Sequence, residues 1–474
     1  MKNIKLFFCL FAVVIALPAC DTEEKPFDEG KSDKAVVTAV NFTISDNPGL
    51  QSASSGHSMG NIWYVSVLTS DLSSLKPSFT TVDGGIVMHD GKDVTDGSTA
   101  IDFTKIQKFT VVSESGKKSA DFEVYVQSGN DKIDYKVYDF MRKYDIPGVS
   151  VSVMKGEEVI YSKGYGFAIS GNGDGRVPAT ENTLYRIGSM SKQFTTLCIM
   201  TLYERGLLDI DDKVFGAGGI LNEQFPGVTG PKATITIRNL LQHNSGFPTS
   251  PDPMFSSIRD GKSLDDLIRY VLEQNLENDP GSKYNYYNMG FGMLGRVVEV
   301  VSGKPYEQFL KEDVLAKMGI DDIHVGGALA DRRPNEAVYY SQSGTDGYAN
   351  PMKVIAAAGG IIASTEQLMK VLAHIDGADG VPDILKKETL DLMYNSPSPN
   401  YARYSLGWRI GHNLYPQGHY HAGNLAGTTA IWVGGSLGMS AALLCNSRSY
   451  LSDASGDFDD AYYILIGQII DFFR

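Results

Sequence analysis

The chain is poor in the residues that several kinds of chemistry require. It has four cysteines in 474 residues. Cys9 and Cys20 fall in the leading apolar segment, and Cys198 and Cys445 lie in apolar stretches that read as core. A disulfide framework is therefore not expected. No His, Cys and Asp residues cluster at metal-ligand spacing, so neither a metal nor an organic cofactor is expected. Positive charge is scarce as well: 42 Lys and Arg stand against 56 Asp and Glu, a net charge of −14. Nucleic acid, which selects Lys- and Arg-rich surfaces, is excluded as a partner. The apolar run from Leu6 to Cys20 is too short for a comfortable membrane-spanning helix. Internal repeats are absent too, and the length calls for two or three domains.

That apolar run follows Lys2 and Lys5 and ends in small residues, the pattern of a secretory signal. Its ending, "LPAC", resembles a bacterial lipobox, with Leu17 three residues before Cys20. The resemblance implies that residues 1–19 are a lipoprotein signal peptide and that Cys20 carries the lipid. The protein would then be anchored to a membrane of the cell envelope, as a periplasmic or outer-membrane lipoprotein. The acidic stretch "DTEEKPFDEGKSDK" makes residues 20–37 a flexible tether.

Residues 38–128 read as short strands: "AVNFTI", "NIWYVSVL" and "DFEVYVQ" alternate apolar and polar side chains between turn-rich segments. This predicts a small β-sandwich. It resembles the Ig-like modules that follow lipoprotein tethers in exported bacterial enzymes, which implies a spacer or adhesion role. From residue 132 the pattern changes. "KIDYKVYDFMRKYD" has the period of an amphipathic helix, and "IPGVSVSVMKGEEVIYSKGYG" is a hairpin. A second hairpin lies at Thr428 to Asn446, and an apolar helix closes the chain. Hairpin connections predict an antiparallel sheet covered by the two terminal helices, with a long helical subdomain between the hairpins. The fold class is thus multi-domain, a β-sandwich followed by an α/β domain over residues 132–474.

Within "YRIGSMSKQFTT" two serines compete for a chemical role. Residues three apart on a helix are neighbours, so Lys192 faces Ser189 and not Ser191. The helix that follows is apolar nearly all round, and its N-terminal end favours developing negative charge. A serine beside a partly desolvated lysine is an activated nucleophile, although Ser and Lys also open helices for capping and solubility alone. In "GSKYNYYNMGF", Tyr286 and Asn288 form Y-x-N. A tyrosine near Lys⁺ has its phenolate favoured and could accept the serine proton, and Asn288 could bond Lys192 and a substrate carbonyl. Tyr-rich loops are also common packing. In "GHYHAGNLAG", His421 and Gly423 form H-x-G on what reads as an edge strand. The amides of Asn424 and Ser189 could hold an oxyanion, and His421 could donate to, or stand as a cation near, a substrate carboxylate. His419 competes for that role.

S-x-x-K, Y-x-N and H-x-G in this order, framed by sheet strands at both ends, resemble the serine β-lactamase and penicillin-binding-protein-like family, in its class C, DD-peptidase and esterase branch. "TLYRIGSMSKQFTTLCIMTLYERGLLDIDDKV" resembles its nucleophile helix, and "TIRNLLQHNSGFP" resembles its LLxHxSG loop. "AAAGGIIASTEQLMKVL" and "YSLGWRI" resemble its later segments. The resemblance implies that Ser189 is acylated, Lys192 activates it, Tyr286 is the general base, and Asn288 supports Lys192 and substrate. His421 and Gly423 form the third motif, and His243 and Ser245 fix loop geometry. His421 stands where many β-lactamases have Lys, and Ala422 supplies no hydroxyl, which disfavours efficient β-lactam hydrolysis. The implied function is an exported acyl-enzyme hydrolase, a D-Ala-D-Ala-type peptidase or related amide hydrolase acting on a small molecule or a peptidoglycan peptide. An esterase, a weak β-lactamase or a non-catalytic binding protein are the alternatives.

Overall fold

The computed structural model describes residues 31–129, 131–171, 175–453 and 456–474. The signal peptide, Cys20 and the first part of the tether lie outside the described residues. Among the described residues no helix is long and apolar enough to cross a membrane.

The predicted hairpins build the central sheet. Gly148–Lys155 pairs with Glu158–Ile169, Tyr415–Leu425 with Thr428–Ser436, and Thr428–Ser436 with Met439–Cys445. The two groups join where Gly148–Lys155 lies antiparallel to Met439–Cys445, Val149 opposite Cys445 and Lys155 opposite Met439. Seven strands result, with Val177–Pro178 at one edge and Arg409–His412 at the other. Side chains alternate across this sheet. Val149, Val151, Val153, Ile431, Val433, Ala441 and Leu443 share a core with the helices Asp131–Tyr144 and Phe458–Phe473. Met154, Ala430, Trp432, Ala442 and Leu444 face the helical subdomain instead. Cys198 and Cys445 are buried and unpaired, as core residues.

The helix Ser191–Glu204 lies in that second layer, with every side chain from Ser191 to Leu202 buried. Its mostly apolar sequence leaves no polar face to turn to water, so it is packed on all sides. It stops at Gly206, whose φ of 67° is a left-handed backbone that glycine adopts without strain.

The N-terminal region holds two sheets. Ser54–Ser55, Val37–Phe42 and Ser78–Thr81 form one; the other has six strands, with Ser119–Ser128 and Gln107–Val112 at its centre and Ile62–Val67 beside Ser119–Ser128. They enclose an apolar core that includes Val40, Phe42, Trp63, Val65, Phe79, Phe109, Phe122 and Val124. Two features depart from the sequence reading. Ile62–Val67 runs parallel to Ser119–Ser128, Ile62 opposite Glu123. The second face of these strands is also covered, and what covers it is the α/β domain. Ile62 and Tyr64 belong to the core that holds Tyr138, Val149 and Phe167. The Tyr64 ring lies 5.5 Å from Tyr138 and 5.8 Å from Phe167, and Tyr125 stacks on Phe167 at 5.3 Å. Glu123 pairs with Arg176, and Gln127 donates to the Gly164 carbonyl at 3.2 Å. The module packs directly against the α/β domain.

Candidate active site

The nucleophile turn is a 3-10 turn, Gly188–Met190, that feeds the buried helix. Ser191 is structural: its hydroxyl donates to the Gly188 carbonyl at 2.7 Å and accepts from the Ile361 amide at 3.0 Å. Ser189 is half-buried, and Lys192 Nζ lies 3.1 Å from its Oγ. Lys192 is fully buried and also reaches Asn288 Oδ1 at 2.8 Å and the Ala358 carbonyl at 2.7 Å. Desolvation brings the Lys192 ammonium down to about 7, against the opposing pull of the Asp252 carboxylate and with help from Arg409. A neutral amine has two hydrogens and one lone pair. Asn288 Oδ1 and the Ala358 carbonyl accept the two hydrogens, which leaves the lone pair facing the Ser189 hydroxyl.

Asn288 opens the helix Asn288–Ser302 and is locked by both ends of its amide. Its oxygen serves Lys192, and its nitrogen donates to Asp252 Oδ2 at 2.7 Å. Tyr286 lies against this group, with Lys192 Nζ 4.9 Å from the centre of its ring. The phenol is not poised as a phenolate. Burial pushes it well up, and the nearby Ser189 hydroxyl offsets only part of that. Among the described residues, no group forms a hydrogen bond of regular geometry with its buried hydroxyl. The sequence reading has a nearby Lys⁺ favouring the phenolate; burial acts in the opposite direction here, with Ser189 and Arg409 pulling the phenol back down.

The strand Tyr415–Leu425 carries His421, Gly423 and Asn424. It is an inner strand, but its outer neighbour Arg409–His412 pairs only up to Tyr420. From His421 onward that edge faces the nucleophile turn, so the edge-strand reading holds locally. Contact there is too close for side chains. A Cβ on Gly423 would lie 1.9 Å from the Ile187 carbonyl oxygen and 2.7 Å from the Ser189 amide nitrogen. A Cβ on Gly188 would lie 2.8 Å from the Asn424 amide nitrogen. The amides of Ser189 and Asn424 therefore flank one backbone-to-backbone contact. The Asn424 side chain points away, 3.2 Å from the Tyr462 hydroxyl.

His421 departs from its expected role as a cation. It is 1 % exposed, and burial together with the charges of Arg409 and Lys192 holds its imidazole well below the usual histidine range. Its Nδ1 bonds the Ala422 carbonyl at 2.7 Å. His419 lies outside this group, against the Tyr394 ring at 3.9 Å. His243, in the LLxHxSG loop, is drawn in as well: its ring lies 4.2 Å from that of Tyr286. Ser245 is buried in the same loop.

Sequence reasoning passed over Asp252, Tyr404 and Arg409. Arg409 is half-buried, with its guanidinium 6.0 Å from the rings of both Tyr286 and Tyr404. Among the described residues it forms no salt bridge; tyrosines surround it, and its charge also bears on Lys192, His243 and His421. It supplies the fixed positive charge that His421 does not.

Comparison with known proteins agrees with this architecture. Protein flp of Staphylococcus aureus (strain MW2) is 25% identical over 301 residues, 62% of this chain. The chain spans 58% of that relative's length. A putative D-alanyl-D-alanine carboxypeptidase of Escherichia coli (strain K12) is 24% identical over 352 residues, covering 65% of this chain and 77% of that one. A solved class C beta-lactamase superposes with a TM-score of 0.59 at 20% identity, over 72% of this chain and 95% of the other. Residues 133–464, which carry every side chain of the site, match the Beta-lactamase family, and the chain belongs to that family of serine hydrolases.

Proposed function

We propose that the protein is an exported serine hydrolase that acts through an acyl-enzyme on Ser189, and that it cleaves amide bonds in D-amino-acid peptides ending in a free carboxylate, as a D-Ala-D-Ala-type carboxypeptidase does. The observation that carries the substrate class is Arg409, a half-buried guanidinium beside Tyr286 with no carboxylate among the described residues to neutralise it. A charged group so placed is stabilised by an anionic ligand. The E. coli relative named as a putative D-alanyl-D-alanine carboxypeptidase supports the same reading.

In this mechanism Ser189 Oγ attacks the scissile carbonyl while its proton passes to neutral Lys192. The amides of Ser189 and Asn424 stabilise the oxyanion. The scissile C–N bond then breaks, and the leaving amine takes a proton from the Tyr286 phenol, which Lys192 reprotonates. Water, activated by the same groups, releases the acyl chain. Asn288 holds Lys192 and keeps one amide hydrogen for substrate. Ala422 favours a second reading, a D-amino-acid amidase or esterase, because it removes a hydroxyl that could bond a carboxylate. The N-terminal β-rich region is proposed to be an Ig-like module, and Cys20 to be lipidated at the cell envelope; the sequence patterns described above support both.

Paired substrates test the assignment. Arg409→Gln is expected to raise KM for a D-Ala-terminated peptide about ten- to a hundredfold, the value of one charge-assisted hydrogen-bonded pair. KM for the same peptide with its C-terminus amidated should be nearly unchanged. An equal effect on both substrates would remove the carboxylate from the proposal and favour the amidase reading.

The acylation rate should also depend on pH with a definite sign. Below about 7 Lys192 is ammonium and has no lone pair for the Ser189 proton; above it the amine is free. The pre-steady-state acylation rate is therefore expected to rise through an ascending limb centred near 7. A limb that sits instead in the tyrosine range would return the base role to Tyr286.

A further inference from the structure

Three buried side chains form one hydrogen-bonded line between two backbone groups beside the site. The Tyr287 amide reaches His243 Nδ1 at 3.1 Å. His243 Nε2 lies 3.0 Å from the Tyr404 hydroxyl, and that hydroxyl lies 3.3 Å from His421 Nε2. His421 Nδ1 reaches the Ala422 carbonyl at 2.7 Å. His243, Tyr404 and His421 are each at most 1 % exposed.

The two ends fix every proton between them. A backbone amide can only donate, so His243 Nδ1 accepts and its proton sits on Nε2. That proton goes to the Tyr404 oxygen. A backbone carbonyl can only accept, so His421 Nδ1 carries the proton and Nε2 accepts. The Tyr404 hydroxyl then has one place to donate, His421 Nε2. The directions derived from the two ends agree, and they agree only when both rings are neutral. A proton added to His421 would aim Nε2–H at the Tyr404 oxygen and leave the Tyr404 hydrogen without an acceptor. The charged and titratable groups around the two rings oppose that proton or are neutral: Lys192, Arg409, Tyr284, Tyr286 and Tyr404.

The line joins two parts that the chemistry needs in register. Tyr287 follows Tyr286, and Ala422 precedes Gly423 on the strand that faces Ser189. Its middle comes from a third segment, the loop before Arg409. His243 itself sits at a φ of 55°, a left-handed backbone that an ordinary side chain adopts at a cost. We propose that Tyr404 is a positioning residue: its hydroxyl, held by His243 and donating to His421, keeps the Tyr286 loop and the oxyanion strand in register and leaves His421 without a proton to offer the substrate.

The kinetic part of this inference rests on the serine-hydrolase reading; its structural part does not. Long-range ¹H–¹⁵N correlation on histidine-labelled full-length protein reads tautomers directly, with signals assigned by their loss in His243→Asn and His421→Gln. Between about pH 5 and 8, where free histidine titrates, His243 is expected as the neutral Nε2–H form and His421 as the neutral Nδ1–H form. Equal tautomers, or a His421 that is charged within that window, would overturn the proposal whether or not any substrate is turned over. Tyr404→Phe is expected to lower kcat on the order of a hundredfold, the scale of a ~1 Å misplacement, with KM little changed. His243→Asn keeps an acceptor for the Tyr287 amide and tolerates the left-handed backbone, but it cannot reach Tyr404. It should show the same loss, and the double variant no further loss, because the two act through one line. Losses that multiply, in variants whose melting shows them folded, would also overturn it.

Discussion

Ser189→Ala is expected to abolish turnover, by a factor on the order of 10⁴ or more, and to leave the fold unchanged. Removing the nucleophile of an acyl-transfer site leaves only binding and oxyanion stabilisation. The fold should survive because Ser189 is half-buried at the surface of the site, and the cluster around Lys192 keeps Asn288 and Ala358 as partners. Intact mass after incubation with a fluorophosphonate, and separately with a penicillin, is the clean measurement. The wild type should gain one adduct per chain and the variant none. A persistent penicillin adduct would favour the peptidase over a β-lactamase, and labelling by the fluorophosphonate alone would favour an esterase or amidase. A folded wild type that neither reagent labels would sink the catalytic assignment and leave a binding protein on a hydrolase scaffold.

Gly423→Ala should be nearly as damaging for a different reason. The added methyl would lie 1.9 Å from the Ile187 carbonyl oxygen, far inside contact distance, and the obstacle is backbone. No rotamer relieves such a clash, so the strand and the nucleophile turn must separate. The amides of Ser189 and Asn424 flank this contact, and losing one oxyanion donor costs about 10²–10³ in kcat. Overpacking also costs about 1–3 kcal/mol of stability, so the melting temperature should drop while the protein remains folded. Full acylation rates in a folded Gly423→Ala protein would show that the oxyanion is held elsewhere.

The parts of the site that were legible in the sequence are those whose partners are close along the chain or carry a fixed spacing. Ser189 and Lys192 are one helical turn apart, and helix geometry alone selects Ser189 over Ser191. Gly423 was legible because only a backbone approach explains a glycine there. Residues whose meaning comes from distant partners were hidden. Asp252 matters through Asn288, and Tyr404 through His243 and His421, contacts made only when three separate loops converge. Arg409 gave no signal because an isolated arginine after Trp408 is ordinary; that no carboxylate among the described residues pairs with it appears only in the folded chain. For Tyr286, adjacency to a cation was visible in the sequence and the depth of burial, which opposes the phenolate, was not. In the N-terminal region the strand "NIWYVSV" was read for one face only. Its consecutive apolar residues, Ile62, Trp63, Tyr64 and Val65, are the mark of a strand covered on both sides.

That covered face bears on the order in which the chain is made. Gly148–Lys155, the inner strand of the first hairpin, finds its other sheet neighbour in Met439–Cys445, far later along the chain. Until then its inner edge has no strand to pair with, and an unpaired apolar edge invites association with other chains. The N-terminal sheets are complete before the hairpin emerges, and Tyr64 and Tyr125 already match Phe167 and Tyr138. The module can therefore dock on the hairpin and its helix while the rest of the domain is still to come.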